Sequence, residues 1–316
     1  MNSPIVFLTG SAGFCGHHLA AHLVDSNCHV AGFDRINRGS ADYTTLHTGD
    51  ITVSKSLQNA LHATHPDTIF HLAALTNPRL DYEELHRVNA LGTLSLMEAV
   101  RATCPQSTII VTSSSSIYGR VSPDTLPISE DQFFAPMTNY AASKVAQEMI
   151  AYQQFAQHNL NIIRTRAFNL TGPGESTYFV TSAFARQIAE IEVGLREPTI
   201  HVGNLDAVRD FTDVRDAVRA YQLLAEQGVP GEVYNVCSGQ GTSIRELLNI
   251  LLELSTRHDI SVQVDPSRLQ PADVPIQIGD AGKLQSLTGW SPIISLHQTL
   301  EDILNYWRKK ATEECL

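Results

Sequence analysis

The chain of 316 residues is long enough for one large α/β unit or two joined lobes with an ample core. Its 43% hydrophobic and 17% charged residues are the composition of a soluble globular protein, and a net charge of -11 excludes a basic face that tracks nucleic-acid phosphates. An anionic small ligand stays open, because a few placed arginines hold a diphosphate inside an acidic protein. Cys15, Cys28, Cys104, Cys237 and Cys315, odd in number and without a C-x-x-C pair, predict reduced thiols. The histidines show no H-E-x-x-H pattern, so no metal centre is expected. The start carries no basic leader, and no run approaches the roughly 20 apolar residues of a membrane span. A soluble, cytoplasmic chain is expected.

Through the first two-thirds, short β-rich runs alternate with longer helical patterns, which predicts a parallel sheet covered on both faces. Strands are expected at 4–9 and 29–34, with a helix at 14–26 between them. Buried strands follow at 68–72 and 107–112. The helix between these, over 83–102, sets Leu85, Val88, Leu91 and Leu94 on helical spacing. A helix at 140–158 leads to a strand at 161–165. Beyond Arg166 come a Gly/Pro turn cluster at 169–174, a helix near 180–194 and a polar loop at 202–210. A helix at 214–227 and a strand at 232–236 continue the pattern. Ser243 and Glu246 form an S-x-x-E capping box for a helix running to about Leu254. A Pro-rich loop covers 265–275, and a last helix spans about 296–308. No repeat or linker interrupts the chain. Residues 1–166 plus about 212–237 are expected to form a doubly wound parallel sheet, with a smaller interleaved α/β lobe from 167–211 plus 238–316.

The first strand feeds directly into Gly10-Ser11-Ala12-Gly13-Phe14-Cys15-Gly16, a G-x-x-G-x-x-G loop opening a helix. Its glycines serve a sharp turn, close backbone approach to a pyrophosphate and tight helix–strand packing, with the phosphates on the helix N-terminus. This is the entry of a Rossmann-type dinucleotide fold. Asp34 ends the second strand, where a carboxylate accepts hydrogen bonds from an adenosine ribose 2′-OH and repels a 2′-phosphate. NAD is therefore the expected cofactor. NADP is the alternative, since Arg35 or Arg38 can instead meet a phosphate.

Tyr140-Ala141-Ala142-Ser143-Lys144 places a phenol and an ammonium one helical turn apart on one face. Lys144 is expected to lower the Tyr140 pKa from about 10, readying it for proton transfer at a substrate hydroxyl or carbonyl. Tyr306 and Lys310 repeat the spacing near the C-terminus. That copy lacks the upstream Ile109-Ile110-Val111-Thr112-Ser113-Ser114 strand and reads as a surface pair.

Gly10/Gly13/Gly16, His71-Leu72-Ala73-Ala74, Asn89 in Asn-Ala-Leu-Gly-Thr, the serine run ending Tyr118-Gly119, and Tyr140/Lys144 together resemble the extended short-chain dehydrogenase/reductases that modify nucleotide sugars. The resemblance runs essentially the whole chain. It implies that Ser114 hydrogen-bonds the reacting sugar oxygen, Tyr140 is the acid/base, and Lys144 also binds the nicotinamide ribose. It places Phe14 and Cys15 in the cofactor loop, Asp50 and Ile51 at the adenine, Ala73 and Ala74 along the cofactor, and Asn89 in support. Phe168 and Asn169 fall where nicotinamide meets sugar diphosphate, and a homodimer packed through the helices at 83–102 and 140–158 is implied.

The segment 202–211, with Thr171-Gly172-Pro173-Gly174 and Phe179-Val180-Thr181, is similar to the GDP-mannose branch of that family. Substrate contacts are thereby implied for Asn169, Phe179, Val180, Asn204 and Arg209. Arg209 suits the diphosphate, since a guanidinium fork matches phosphate geometry, and a structural ion pair with Asp210 or Asp213 is the alternative. Two departures stand out. The family's Arg-Pro-x-Glu/Asp-Val loop reads Gln270-Pro271-Ala272-Asp273-Val274 here, leaving Arg268 to replace the missing charge beside Asp273. Ser116 also stands where dehydratases and related reductases carry a glutamate.

Eliminating water across C5–C6 needs a carboxylate to take the C5 proton, and a serine is too weak a base for it. A ketone reduction asks only for hydride, a proton from Tyr140 and polarisation by Ser114. The expected activity is therefore NAD(P)H-dependent reduction of the 4-keto group of a GDP-4-keto-6-deoxy sugar, giving a GDP-D-rhamnose type product. A nucleotide-sugar 4-epimerase, a 4,6-dehydratase and a non-catalytic NAD-sensing protein are the alternatives.

Overall fold

The computed structural model describes residues 3–37, 43–77, 80–268 and 274–314. In chain order the elements are β1 (Ile5–Thr9), α1 (Phe14–Asp25), β2 (His29–Asp34), β3 (Thr45–Thr48), α2 (Ser54–Thr64), β4 (Thr68–His71), α3 (Tyr82–His86), α4 (Gly92–Thr103), β5 (Thr108–Ser114) and α5 (Asn139–His158). They continue with β6 (Ile162–Ala167), β7 (Asn169–Thr171), α6 (Val180–Glu192), β8 (Thr199–Val202), β9 (Val208–Asp213), α7 (Val214–Gln227) and β10 (Val233–Val236). The remainder are β11 (Gly241–Ser243), α8 (Ile244–Glu253), β12 (Ser261–Val264), β13 (Ile276–Gln277), α9 (Gly282–Thr288) and α10 (Leu296–Glu314). No helix among the described residues is long and apolar enough to cross a membrane.

One parallel sheet runs β10-β6-β5-β4-β1-β2-β3. Strands β1, β4 and β5 read as largely apolar runs because both faces of the sheet are covered there. Side chains alternate across the sheet: Val6, Leu8, Phe70, Ile110 and Ile163 meet Leu19, Leu23, Ala217 and Leu224 from α1 and α7. Phe7, Ala31, Ile69, Ile109 and Ile162 meet Leu57, Leu61, Leu96 and Val100 from α2 and α4 on the opposite face. Each fully buried leucine contributes about 1.5–3 kcal/mol of transfer free energy. Strand order reverses between β1 and β4, where doubly wound sheets open a crevice beyond their carboxyl ends.

A second sheet has β9 between β11 and β13, with β7 also pairing β9. Around a third core of Phe184, Ile188, Leu247, Leu251, Leu300 and Ile303, helices α6, α8 and α10 pack together. The Ser243/Glu246 capping box forms as the sequence predicts.

Several elements differ from the sequence reading. The helix expected over 83–102 is broken by a π turn at Arg87–Leu91, where the Thr93 hydroxyl donates to the Asn89 carbonyl at 2.6 Å. The turn shifts the helical phase, so Leu91 is 55% exposed while Leu96, Met97 and Val100 carry the buried stripe. The polar segment at 202–210 runs into β9, and the turn cluster at 169–174 opens with β7. Neighbouring strands decide both; the local sequence offers no such signal. Helix α10 extends to Glu314.

Candidate active site

Gly10 has φ +72, and a Cβ on it would lie 2.7 Å from the Ala73 backbone nitrogen. At Gly16 a Cβ would lie 2.4 Å from the Gly10 carbonyl, so only glycine lets the loop close onto α1. Beyond this loop a cavity is lined by Gly10, Gly13, Asp34, Arg35, Asp50, Ile51, Ala73 and Ala74, with Phe33, Gly49, Leu72, Leu75 and Val88. Eight of the residues expected to hold the cofactor thus share one cavity at the carboxyl ends of β1, β2 and β4. Phe14, Cys15 and Gly16 form the first turn of α1, outside this lining. The glycine cradle and the carboxylates fit an adenine dinucleotide.

Asp34 Oδ2 accepts from the Ala12 amide at 3.0 Å, tying the second strand to the glycine loop. Asp50 Oδ1 accepts from the Thr52 amide and hydroxyl at 2.9 and 2.7 Å, and the amide bond holds its carboxyl below the usual carboxylate range. Arg38 lies outside the described residues.

A buried relay links the cavity to the helices. The Ala73 amide donates to Thr9 Oγ1 at 3.3 Å, and Thr9 Oγ1 meets His71 Nδ1 at 2.8 Å. His71 Nε2 meets Thr93 Oγ1 at 2.7 Å, and Thr93 gives its own proton to the Asn89 carbonyl. Thr93 must therefore accept from Nε2–H, which fixes the neutral tautomer. Burial pushes His71 down to about 3. The Asn89 side chain accepts from the Leu75 amide at 2.7 Å and donates to the Leu75 carbonyl and to Ser143 Oγ, at 3.0 and 2.9 Å. Ser143 in turn donates to the Tyr140 carbonyl at 2.7 Å. Asn89 thus supports the site by pinning the Leu75 loop and the start of α5.

Ser114 closes β5, and α5 opens at Asn139 behind the Thr138 cap. Tyr140 is hydrogen-bonded to Ser114, which lowers its pKa, but burial around the hydroxyl dominates and pushes it up to about 12. Lys144 Nζ donates to the Thr112 carbonyl at 2.6 Å, and burial brings the lysine down to about 7 against the opposing pull of Glu148. The expected depression of Tyr140 by Lys144 is therefore not found. Burial outweighs the lowering contact with Ser114 and keeps the proton on the phenol.

In the second lobe, Asn169 Nδ2 donates to the Asp210 carbonyl at 3.0 Å, and Phe179 precedes Val180 at the start of α6, 40% exposed. Asn204 Oδ1 accepts from the Asp206 amide at 3.0 Å. Arg209 sits in β9 opposite Thr242 and Gln277, and its Nη1 donates to the Val208 carbonyl at 2.9 Å. Asp210 accepts from Ser238, Gly239 and Gly279, and Asp213 binds Arg215 and Thr299. Arg268 pairs with Asp265 at 3.3 Å, its backbone against Gly203 beside Asn204. Gln270 and Asp273 lie outside the described residues. Phe168, expected where nicotinamide meets sugar, turns into the core against Tyr118, because its amide continues the sheet by donating to Val236.

The sequence reading missed three supporting groups. Of the Thr9–His71–Thr93 relay, Thr9 and His71 were legible only as polar residues ending buried strands, in register at Thr9↔His71, and Thr93 joins them from α4. Glu175, 4% exposed, accepts from Thr171 and Thr181 at 2.8 and 2.5 Å, and burial pushes it up to about 7. Beneath Lys144, buried Glu148 accepts from Arg164 and Arg166, and Arg166 also donates to Tyr118 at 2.9 Å.

A doubly wound parallel sheet, a glycine-loop cavity at its switch point, and Ser114, Tyr140 and Lys144 beside it define an extended short-chain dehydrogenase/reductase. The chain belongs to the GDP-mannose 4,6 dehydratase family, whose model matches residues 7–303. It is 35% identical over 312 residues to a GDP-6-deoxy-D-mannose reductase of Pseudomonas aeruginosa, covering 98% of this chain and 99% of that protein. Among solved structures it is similar to RMD from Pseudomonas aeruginosa complexed with NADPH, with TM-score 0.87, 33% identity, and 98% and 100% of the two chains covered. It is also similar to UDP-glucose 4-epimerase of Thermotoga maritima with UDP-glucose, with TM-score 0.88, 25% identity, and 96% and 99% covered.

Proposed function

We propose that this protein reduces the 4-keto group of a GDP-4-keto-6-deoxyhexose with NADH or NADPH, forming a GDP-D-rhamnose type product. The observation that carries the reading is the turn after β5. There the Ser116 hydroxyl donates to Ser114, and Ser114 is hydrogen-bonded to a protonated Tyr140, an arrangement suited to delivering a proton and unsuited to removing one from carbon. Full-length similarity to a GDP-6-deoxy-D-mannose reductase supports the same reading.

Ser114 polarises the carbonyl oxygen and Tyr140 protonates it. Gly10, Gly13, Asp34, Arg35, Asp50, Ile51, Ala73 and Ala74 hold the dinucleotide, which supplies the hydride when bound. Phe14, Cys15 and Gly16 present the start of α1 to its phosphates, and Lys144 orients its nicotinamide ribose. Asn169, Phe179, Val180, Asn204, Arg209, Arg268 and Asp273 hold the nucleotide sugar. Residues 1–166 plus about 212–237 act as the cofactor domain, and the rest as the substrate lobe. The enzyme works in the cytoplasm as a homodimer, for which exposed Leu91, Met149 and Tyr152 on the π turn and α5 supply an apolar face.

The similarity to a 4-epimerase supports a second reading, since oxidation and re-reduction at C4 uses the same three residues. Cofactor stoichiometry with a GDP-linked 4-keto-6-deoxymannose separates the two. One dinucleotide consumed per product is the expected result; catalytic dinucleotide would favour the epimerase.

A further inference from the structure

We infer that Ser116 is a positioning residue for the reaction, its hydroxyl fixing the direction in which Ser114 donates; this rests on the proposed reduction. Ser116 Oγ donates to Ser114 Oγ at 3.0 Å, and the Ser116 amide donates to the same oxygen at 3.2 Å. A serine hydroxyl has two acceptor sites and one proton, and its rotor turns freely unless partners fix it. With both acceptor sites of Ser114 filled from Ser116, its proton is left for the side occupied by Tyr140 and the substrate oxygen. Donation into Ser114 also strengthens donation out of it, because hydrogen bonds in a chain polarise one another. Ser116–Ser114–Tyr140 is then a directed string of hydroxyls.

The turn itself does not depend on the Ser116 hydroxyl. Gln277 Nε2 donates to the Ser115 carbonyl at 2.9 Å, and Ser115 Oγ donates back to Gln277 Oε1 at 3.3 Å, both residues being buried. The Ala135 amide donates to the Ile117 carbonyl at 2.8 Å. These bonds hold the backbone on both sides of Ser116, so removing its hydroxyl alters the string without releasing the turn. Among the described residues, the ionisable groups near Tyr140 are Cys15 from α1, Tyr221 from α7 and Lys144 on its own helix, and none of these is bonded to Ser116.

The test compares Ser116→Ala and Ser116→Thr with the unaltered chain. Ser116→Ala is expected to lower kcat by about fivefold to tenfold, the effect of one hydrogen bond, while KM and NADPH affinity stay within about twofold. A weaker donor at Ser114 stabilises the phenolate less, so the high-pH limb of the kcat profile moves to higher pH. Ser116→Thr, which keeps the hydroxyl, restores both. NMR titration of ring-labelled tyrosine in the NADP⁺ complex, with Tyr140→Phe identifying the signal, reads the same upward shift without turnover. If the unaltered chain fails to reduce the keto sugar, the proposed function falls, and this titration still decides the role of Ser116. An unmoved Tyr140 titration in Ser116→Ala, or a threonine variant no better than alanine, overturns the inference.

Discussion

Lys144 donates from Nζ to the Thr112 carbonyl at 2.6 Å, which ties the ammonium one turn beyond Tyr140 to strand β5, two residues before Ser114. The three residues are therefore held by one strand and one helix, and burial leaves the phenol protonated near neutral pH. Such a phenol serves a reduction directly, since the reaction draws a proton from it.

Tyr140→Phe is accordingly expected to lower kcat by about 10²–10⁴-fold with dinucleotide affinity within about twofold. Tyr306→Phe is expected to have no effect, since α10 sets it beside Lys310, which pairs with Glu313 at 3.3 Å. Steady-state kinetics with dinucleotide titration by fluorescence checks both, and near-normal turnover in Tyr140→Phe would remove the assignment.

Asp34 and Arg35 share the cavity, so cofactor choice is a balance between a carboxylate on the ribose 2′-OH and a guanidinium on a 2′-phosphate. Asp34→Ala is expected to raise the NADPH:NADH preference by about tenfold and Arg35→Ala to lower it by a similar factor. Because Asp34 also accepts from the Ala12 amide, its loss weakens binding of both dinucleotides. The ratio of kcat/KM values is the measurement, and a ratio unmoved by either change would place selection elsewhere.

Arg209→Ala is expected to raise KM for the nucleotide sugar by about tenfold or more, as for loss of a charge-assisted contact. Arg268→Ala does likewise only if it supplies the second charge in place of Gln270. Its present pairing with Asp265 is exposed and weak enough to exchange for a phosphate. An unchanged KM in Arg209→Ala, with circular dichroism intact, would mean that the diphosphate is held elsewhere.

His71 and Glu175 give stability opposing pH dependences. His71 titrates near 3 when folded against 6.5 in the open chain, so the unfolded state binds more protons between these values and stability rises with pH there. Glu175 titrates near 7 against 4.5, so the folded state binds more protons in that window and stability falls as pH rises. The two slopes oppose across the overlap, about pH 4.5–6.5. Glu175→Gln removes one of them and is expected to steepen the loss of stability on acidification by up to about 1.4 kcal/mol per pH unit. Urea unfolding across the overlap measures the slope, and identical slopes in the two proteins would contradict the assignment.

The sheet and cofactor loop were legible in the sequence because their determinants are local: buried apolar strands, the glycine spacing and Asp34 at a strand end. The Tyr140/Lys144 spacing was likewise local. What the sequence withheld depends on partners distant in the chain. The phase slip at Asn89 depends on Thr93 and on a Ser143 contact from α5, and β9 becomes a strand only beside β7, β11 and β13. The upward shift of the Tyr140 pKa follows from burial, which no spacing rule conveys.

The place of β10 bears on how the chain is made. Strand β6 can pair with β5 once residue 167 has emerged, yet its other edge is completed only by Val233–Val236, after the whole excursion through β7, α6, β8 and β9. During synthesis, the outer edge of β6, two isoleucines followed by Arg164, Thr165 and Arg166, therefore stands with unpaired backbone groups while the second lobe is still being added, a template for pairing between nascent chains. Helix α7 reaches β6 first, bringing Leu224 and Tyr221 onto the same core as Ile163, and so shelters that face before the edge is closed. Fragments that stop between α7 and β10 should aggregate, whereas those that include Val236 should stay dispersed.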